Sequence, residues 1–351
     1  MISAKREVWL DAAKGFGMIL VVAGHAYNHN DLITYIYWFH MPAFFLFSGY
    51  VSKSIEQWSQ LGAYVKKRAY SLLVPYAIYL GLFTAVRYLG EILHGNLSWQ
   101  WYMKDIGGLL FGGRFITGYY GVFWFITCLF FTQVLFQLMF LVFKKTKTHL
   151  LCIFFLYVIS HIEGWHVNTL SGSEPSLHMY VPWNLDVSLL ALCYYSIGYY
   201  TKTYLKRIPA LLTGICILLT VGCIALQELG LLDYHLSMKY LNYDYYALDL
   251  LIPFIMIISY CGIFQLITSA KVLSVLSFIN HRGLTIMYMH IGVNKILLQF
   301  MDYGNIIYIV AGVSIPLLIS TFIMEKKYEI GTFLSNPLHI PYRPSKKLHI
   351  E

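Results

Sequence analysis

The chain has 351 residues, of which 58% are hydrophobic and 12% charged, with a mean hydropathy of +0.60. A soluble domain is about 45–50% apolar and about 25% charged, so a water-covered globule is excluded and a polytopic membrane protein is expected. The net charge of +8 does not point to nucleic acid, because the basic residues fall in short clusters between apolar runs, as in the loops of a membrane protein.

In chain order, Lys5 and Arg6 precede an apolar segment that resembles a signal peptide, but the segment is charged and no small-residue cleavage site follows. It is read as a retained first helix. At about 20 apolar residues per crossing, spans are expected near 8–27, 33–51, 71–89, 121–143, 150–162, 185–201, 209–226, 247–267, 283–300 and 305–324. Ten spans put both termini on one side, together with every Lys and Arg except Arg87, Lys104, Arg114, Lys239 and Lys295. The positive-inside rule makes that side cytoplasmic. Three longer loops, 90–120, 163–184 and 228–246, then face outward. They are rich in tyrosine and tryptophan, which suit a membrane interface or a sugar-binding face. The expected fold is an all-α transmembrane bundle over residues 1–330, followed by a short basic cytoplasmic tail at 331–351. The six cysteines lie in or beside apolar runs, without CxxC or metal-ligand spacing. Buried thiols are expected, and no metal.

The polar residues inside these spans carry the functional reading, because an ionisable group at a helix centre costs about 2.5–3.5 kcal/mol on insertion scales. The segment LDAAKGFGMILVVAGHAYNH holds Asp11, Lys14 and His25. On a helix Lys14 and His25 share nearly one azimuth, with Asp11 within about 60° of the first and about 40° of the second. Eleven residues rise about 16 Å, so Lys14 and His25 occupy two depths of one polar path, whereas Asp11 and Lys14 are spaced for an ion pair near the cytoplasmic end. The second span, FHMPAFFLFSGY, adds His40 and Ser48, with Pro42 loosening the backbone ladder beside His40. His25 and His40 lie one and two turns from the outer side on antiparallel neighbours, where they can face each other.

Lys14-x10-His25, preceded by Leu10-Asp11 and followed by FHMPAFFLFSGY, resembles the start of the acyltransferase-3 family of integral-membrane acyltransferases. KKRAYSLLVPY resembles the basic run that opens its third helix, FWFITCLFF its WFLxxL motif, and GLTIMYMHIGV its late SLxIYLLH element. NLDVSLLALCYYSIGYY resembles a segment of the fucose 4-O-acetylase-like branch. The resemblance runs through nearly the whole chain, in order. Of the arginines at the third-helix opening only Arg68 is kept, and Gly283 and Met287 stand where serine and tyrosine are common.

The resemblance implies transfer of an acyl group, usually acetyl from acetyl-CoA, to a hydroxyl of a cell-surface polysaccharide or its lipid-linked precursor. It makes His25 the essential residue and Lys14 its basic companion. It also makes Trp124, Asp186 and His290, on the matched motifs, substrate-binding candidates with Asp11. A histidine titrating near neutrality can take the proton of a sugar hydroxyl as it attacks a thioester, so His25 is the expected general base. His40 is expected to stabilise an oxyanion or to contact substrate. Lys14, Lys67 and Arg68 can attract the phosphates of coenzyme A, although such clusters also set topology. An acyl-enzyme on Cys193 or Ser48 has no nucleophile motif behind it. The competing reading is a transporter or flippase whose intramembrane charges line a path for a glycan or small metabolite. The expected location is the cell membrane.

Overall fold

The computed structural model describes residues 7–26, 31–171, 181–243 and 245–335. Lys5, Arg6, most of the basic tail and the middle of the 163–184 loop lie outside the described residues. The chain is helical: α1 (Val8–Gly24), α2 (Asp31–Tyr37), α3 (His40–Tyr50), α4 (Leu61–Leu93), α5 (Trp99–Phe111), α6 (Trp124–Val142), α7 (Thr146–Ser171), α8 (Val187–Tyr200), α9 (Lys202–Leu205), α10 (Ala210–Glu228), α11 (Leu248–Leu266), α12 (Ala270–His281), α13 (Gly283–Leu297) and α14 (Asn305–Ser335). Among the described residues, six helical segments are long and apolar enough to cross a membrane: Trp58–Leu93, Gly118–Val142, Thr146–Thr169, Ala210–Glu228, Leu248–Leu266 and Asn305–Phe322.

These segments differ in how they meet their surroundings. Only 11% of the apolar window is buried in Trp58–Leu93 and in Ala210–Glu228, against 67% in Gly118–Val142. Apolar side chains such as Ile78, Leu82, Leu211 and Leu218 therefore point outward, which a bilayer tolerates and water does not. The interior is built from shorter pieces. α1 has 17 residues, α3 has 11, α8 has 14 and α13 has 15, and each buries most of its length. α3 and α8 cross at backbone contact. A Cβ on Gly49 would stand 1.8 Å from the Tyr195 carbonyl oxygen, and one on Gly198 would stand 1.9 Å from that of Leu46. Small residues at such a crossing let two membrane helices approach closely.

Three elements depart from the sequence expectation. The second span, expected as one helix over 33–51, is two, with the break at Trp38 and Phe39 upstream of His40. Pro42 sits in the first turn of α3, where its missing N–H has no intrahelical partner to lose. The loop 90–120, expected to face outward, contains α5, started by Ser98, whose side chain accepts from the Trp101 N–H. The linker between the spans at 247–267 and 283–300 is the amphipathic helix α12, which packs along α1. Asn280 Nδ2 there donates to the Asp11 carboxylate at 3.0 Å.

Candidate active site

A cavity of about 580 Å³ opens between α1, α3, α6, α13 and α14, closed on one side by residues 117–122 and 236–240. Its size is that of a small-molecule site, about 300–1,000 Å³. Met18, Val21 and His25 form the α1 wall, a stripe at helical spacing. His25 follows the last helical residue of α1 and is half-buried. Its ring lies 5.4 Å from that of His290 and 6.4 Å from that of Tyr37, and Tyr37 lies 5.0 Å from His40. Tyr37 donates its hydroxyl to the Gly24 carbonyl at 3.1 Å, closing the end of α1 beside His25.

Backbone carbonyls fix two of the three imidazoles. His40 Nδ1 lies 2.7 Å from the Ile36 oxygen, and His290 Nδ1 lies 2.9 Å from the Ile286 oxygen. A carbonyl only accepts, so Nδ1 carries the hydrogen in each ring and Nε2 of the neutral imidazole is a lone-pair acceptor. The His40 bond also reaches a terminal carbonyl of α2, where the Phe39 N–H donates at 3.3 Å as well. His290 Nε2 is buried and unpartnered.

The sequence candidates separate clearly. His25, His40 and Trp124 line the cavity, and buried His290 backs onto His25. Lys14 continues the α1 stripe one turn beyond Met18, the last α1 residue on the wall, so the cavity stops about 6 Å short of it along the axis. Asp11 holds Asn280 of α12 instead of facing the cavity. Lys67 is exposed and Arg68 half-buried at the far end of α4. Thr84, sixteen residues or about 24 Å further along that helix, meets the hydroxyl of Tyr120 beside the cavity at 3.1 Å. Asp186 does not line the cavity. Its carboxylate is buried against Arg114 and also accepts the Val187 N–H at 2.8 Å, capping α8. Ser48 donates to the Phe44 carbonyl at 2.8 Å, and Cys193 faces a different, apolar groove between α7, α8 and α11.

Two lysines were missed as site residues. Lys239 is 8% exposed on the cavity wall and donates to the carbonyls of Ile116, at 3.0 Å, and Gly121, at 3.1 Å. Burial pulls its ammonium down to about 8. Asn184 Nδ2 donates to the Lys239 carbonyl at 2.9 Å, so the Arg114–Asp186 pair and its neighbours hold the turn that carries this lysine. Lys295 lines the cavity from the end of α13, its Nζ 5.0 Å over the Tyr119 ring. A clue was present in the sequence. Both belong to the five cations that break the charge asymmetry. Of the other three, Arg87 pairs with Asp105 and Arg114 with Asp186.

The family model for an acyltransferase domain, that of the acyltransferase-3 family, matches residues 7–325. The chain belongs to that family. No curated protein and no solved structure gives a significant match. Together with its lipid-facing apolar helices, membership makes this acyltransferase-3 protein a membrane acyltransferase. Imidazoles, tyrosines and ammonium groups converge on the cavity, side chains of the kinds that can move a proton and stabilise a developing negative charge.

Proposed function

We propose that this protein transfers an acetyl group from acetyl-CoA to a hydroxyl of a cell-surface polysaccharide or its lipid-linked precursor, in the cell membrane, with both termini cytoplasmic. The observation that carries the reading is His25 at the end of α1, on the wall of a ligand-sized cavity and ringed by Tyr37, His40 and His290. The unprotonated ring nitrogen of His25 takes the hydroxyl proton as the sugar oxygen attacks the thioester carbonyl. The C–O bond forms, the C–S bond breaks, and the imidazolium returns the proton to the departing sulfur. The products are an O-acetyl ester and free CoA. Of the two roles expected for His40, its tautomer favours substrate contact. With Nδ1–H held by Ile36, Nε2 accepts a hydrogen bond from a substrate hydroxyl and does not donate one to an oxyanion. The indole N–H of Trp124, a donor only, is the better wall group for the carbonyl oxygen.

The donor's phosphates are assigned to Lys67 and Arg68, remote from the acceptor end of the cavity by the α4 distance above, with Lys14 on α1 between that cluster and His25 in the donor's path. The resemblance of NLDVSLLALCYYSIGYY to a segment of the fucose 4-O-acetylase-like branch favours acetyl as the group moved and a sugar as its acceptor. The test is CoA release by the purified protein from acetyl-CoA and a surface-glycan extract. His25→Ala is expected to lower kcat about 10²–10⁴-fold, the worth of a general base, in a protein with unchanged thermal stability. Retention of kcat within twofold would refute the assignment.

A further inference from the structure

Resting on that reading, we infer that the acceptor is anionic: the hydroxyl to be acylated is presented on a molecule whose carboxylate or phosphate sits between Lys239 and Lys295. Charge balance is the first argument. Among the described residues that line the cavity there are two lysines and no aspartate or glutamate. Among the described residues neither lysine has an ion-pair partner, whereas Arg87 and Arg114 at the same end of the bundle each have a carboxylate. Burying a cation away from water costs several kcal/mol unless an opposite charge is supplied. Lys239 meets that cost only in part. Two of its three N–H groups reach carbonyls, which satisfy hydrogen bonding and leave the charge unneutralised.

Placement points the same way. The carbonyls that grip Lys239 and the ring under Lys295 belong to one segment, residues 116–121. The two ammonium groups therefore flank that segment, one buried and the other exposed, as a ligand entering from that end would meet them. The donor's phosphates have their own basic cluster at Lys67 and Arg68, about 24 Å away along α4 by helix rise, so the cavity lysines are left for the acceptor. Two sources supply the anion: an acidic sugar of the glycan itself, or the phosphate of a lipid carrier to which a neutral sugar is attached.

The first experiment needs no turnover. The full chain in detergent is treated with an amine-acylating reagent, and modification of Lys295 is read by mass spectrometry with glucuronate, inorganic pyrophosphate or glucose present. Protection of at least fivefold by one or both anions, and none by glucose, is expected. Equal labelling in all three overturns the inference. The second experiment compares kcat/KM for a glucuronate-bearing oligosaccharide, its carboxyl-reduced form, and the reduced form linked to polyprenyl diphosphate. One anionic form is expected to exceed the neutral form at least tenfold; the first identifies an acidic sugar and the last a lipid carrier. Lys295→Met and Lys295→Glu are expected to remove that advantage through KM. Lys239→Arg keeps the charge should Lys239→Met fail to fold, and it is expected to keep the preference. Equal use of all three acceptors by the wild type overturns the inference and leaves acetyl transfer standing. Absence of CoA release with every acceptor, despite Lys295 protection, refutes the acetyl-transfer reading instead.

Discussion

Replacing Asp186 separates a structural carboxylate from a substrate ligand. Its side chain and that of Arg114 are 2% and 7% exposed, so removing one partner strands the other charge out of water. Breaking a buried pair costs about 3–5 kcal/mol, and losing the α8 cap adds about 0.5–2 kcal/mol. Asp186→Ala is thus expected to destabilise by about 3.5–7 kcal/mol, enough to deplete folded protein in the membrane. Replacing both partners, as Arg114→Met with Asp186→Leu, removes the stranded charge and is expected to recover most of the pair's share of the loss. Detergent-solubilised protein is followed by thermal unfolding and by CoA release, as a double-mutant cycle. The reasoning is refuted if Asp186→Ala unfolds like the wild type while KM for the acceptor rises, the behaviour of a ligand-binding carboxylate. It is also refuted if the double variant is as unstable as the single one.

Three further outcomes are expected. Lys239, held near 8 and faced by His25, Tyr240 and Lys295 around the cavity, is charged below that pH and neutral above it. KM for an anionic acceptor is therefore expected to be low below about pH 8 and to climb above it, a rise that the neutral acceptor should lack. Gly198→Val places side-chain atoms beyond a Cβ already 1.9 Å from the Leu46 carbonyl, so yield of folded protein after detergent extraction should fall sharply; unchanged yield would mean that α3 and α8 do not cross at backbone contact. Tyr37→Phe removes the hydroxyl that binds the Gly24 carbonyl, a loss of about 1 kcal/mol. It is expected to lower kcat several-fold by loosening His25 while melting moves little, and an unaltered kcat would show that His25 is positioned by other contacts.

Much of the architecture was legible as hydropathy, since crossing a bilayer requires long apolar runs. The departures have local causes. α12 has only 12 residues and one buried face, so a window tuned to apolar runs of 20 passes over it. Pro42 drew attention to the right segment, but a proline in the first turn starts a helix as readily as it breaks one, and only the backbone shows the break at Trp38. Of the site, His25, His40, Trp124 and His290 were legible because polar or aromatic residues at motif positions stand out in an apolar chain. Asp186 looked alike and differs because Arg114, 72 residues earlier in sequence, occupies it. The sequence marks Lys239 and Lys295 only as two of five cations off the charge pattern; what sets them apart from Arg87 and Arg114 is the lack of a carboxylate partner among the described residues, a property of three-dimensional neighbours.

The bond between Asp11 and Asn280 joins residues 269 positions apart. At about 5–20 residues per second of synthesis, roughly 13–54 s elapse between translation of α1 and translation of its polar partner. During that interval the first helix stands in the bilayer with its carboxylate lacking the amide that later receives it. The helix that carries His25 is therefore first to be made and among the last to gain all of its polar contacts. Substitutions at Asn280 should accordingly show in the lifetime of the nascent chain before they show in the chemistry of the finished enzyme.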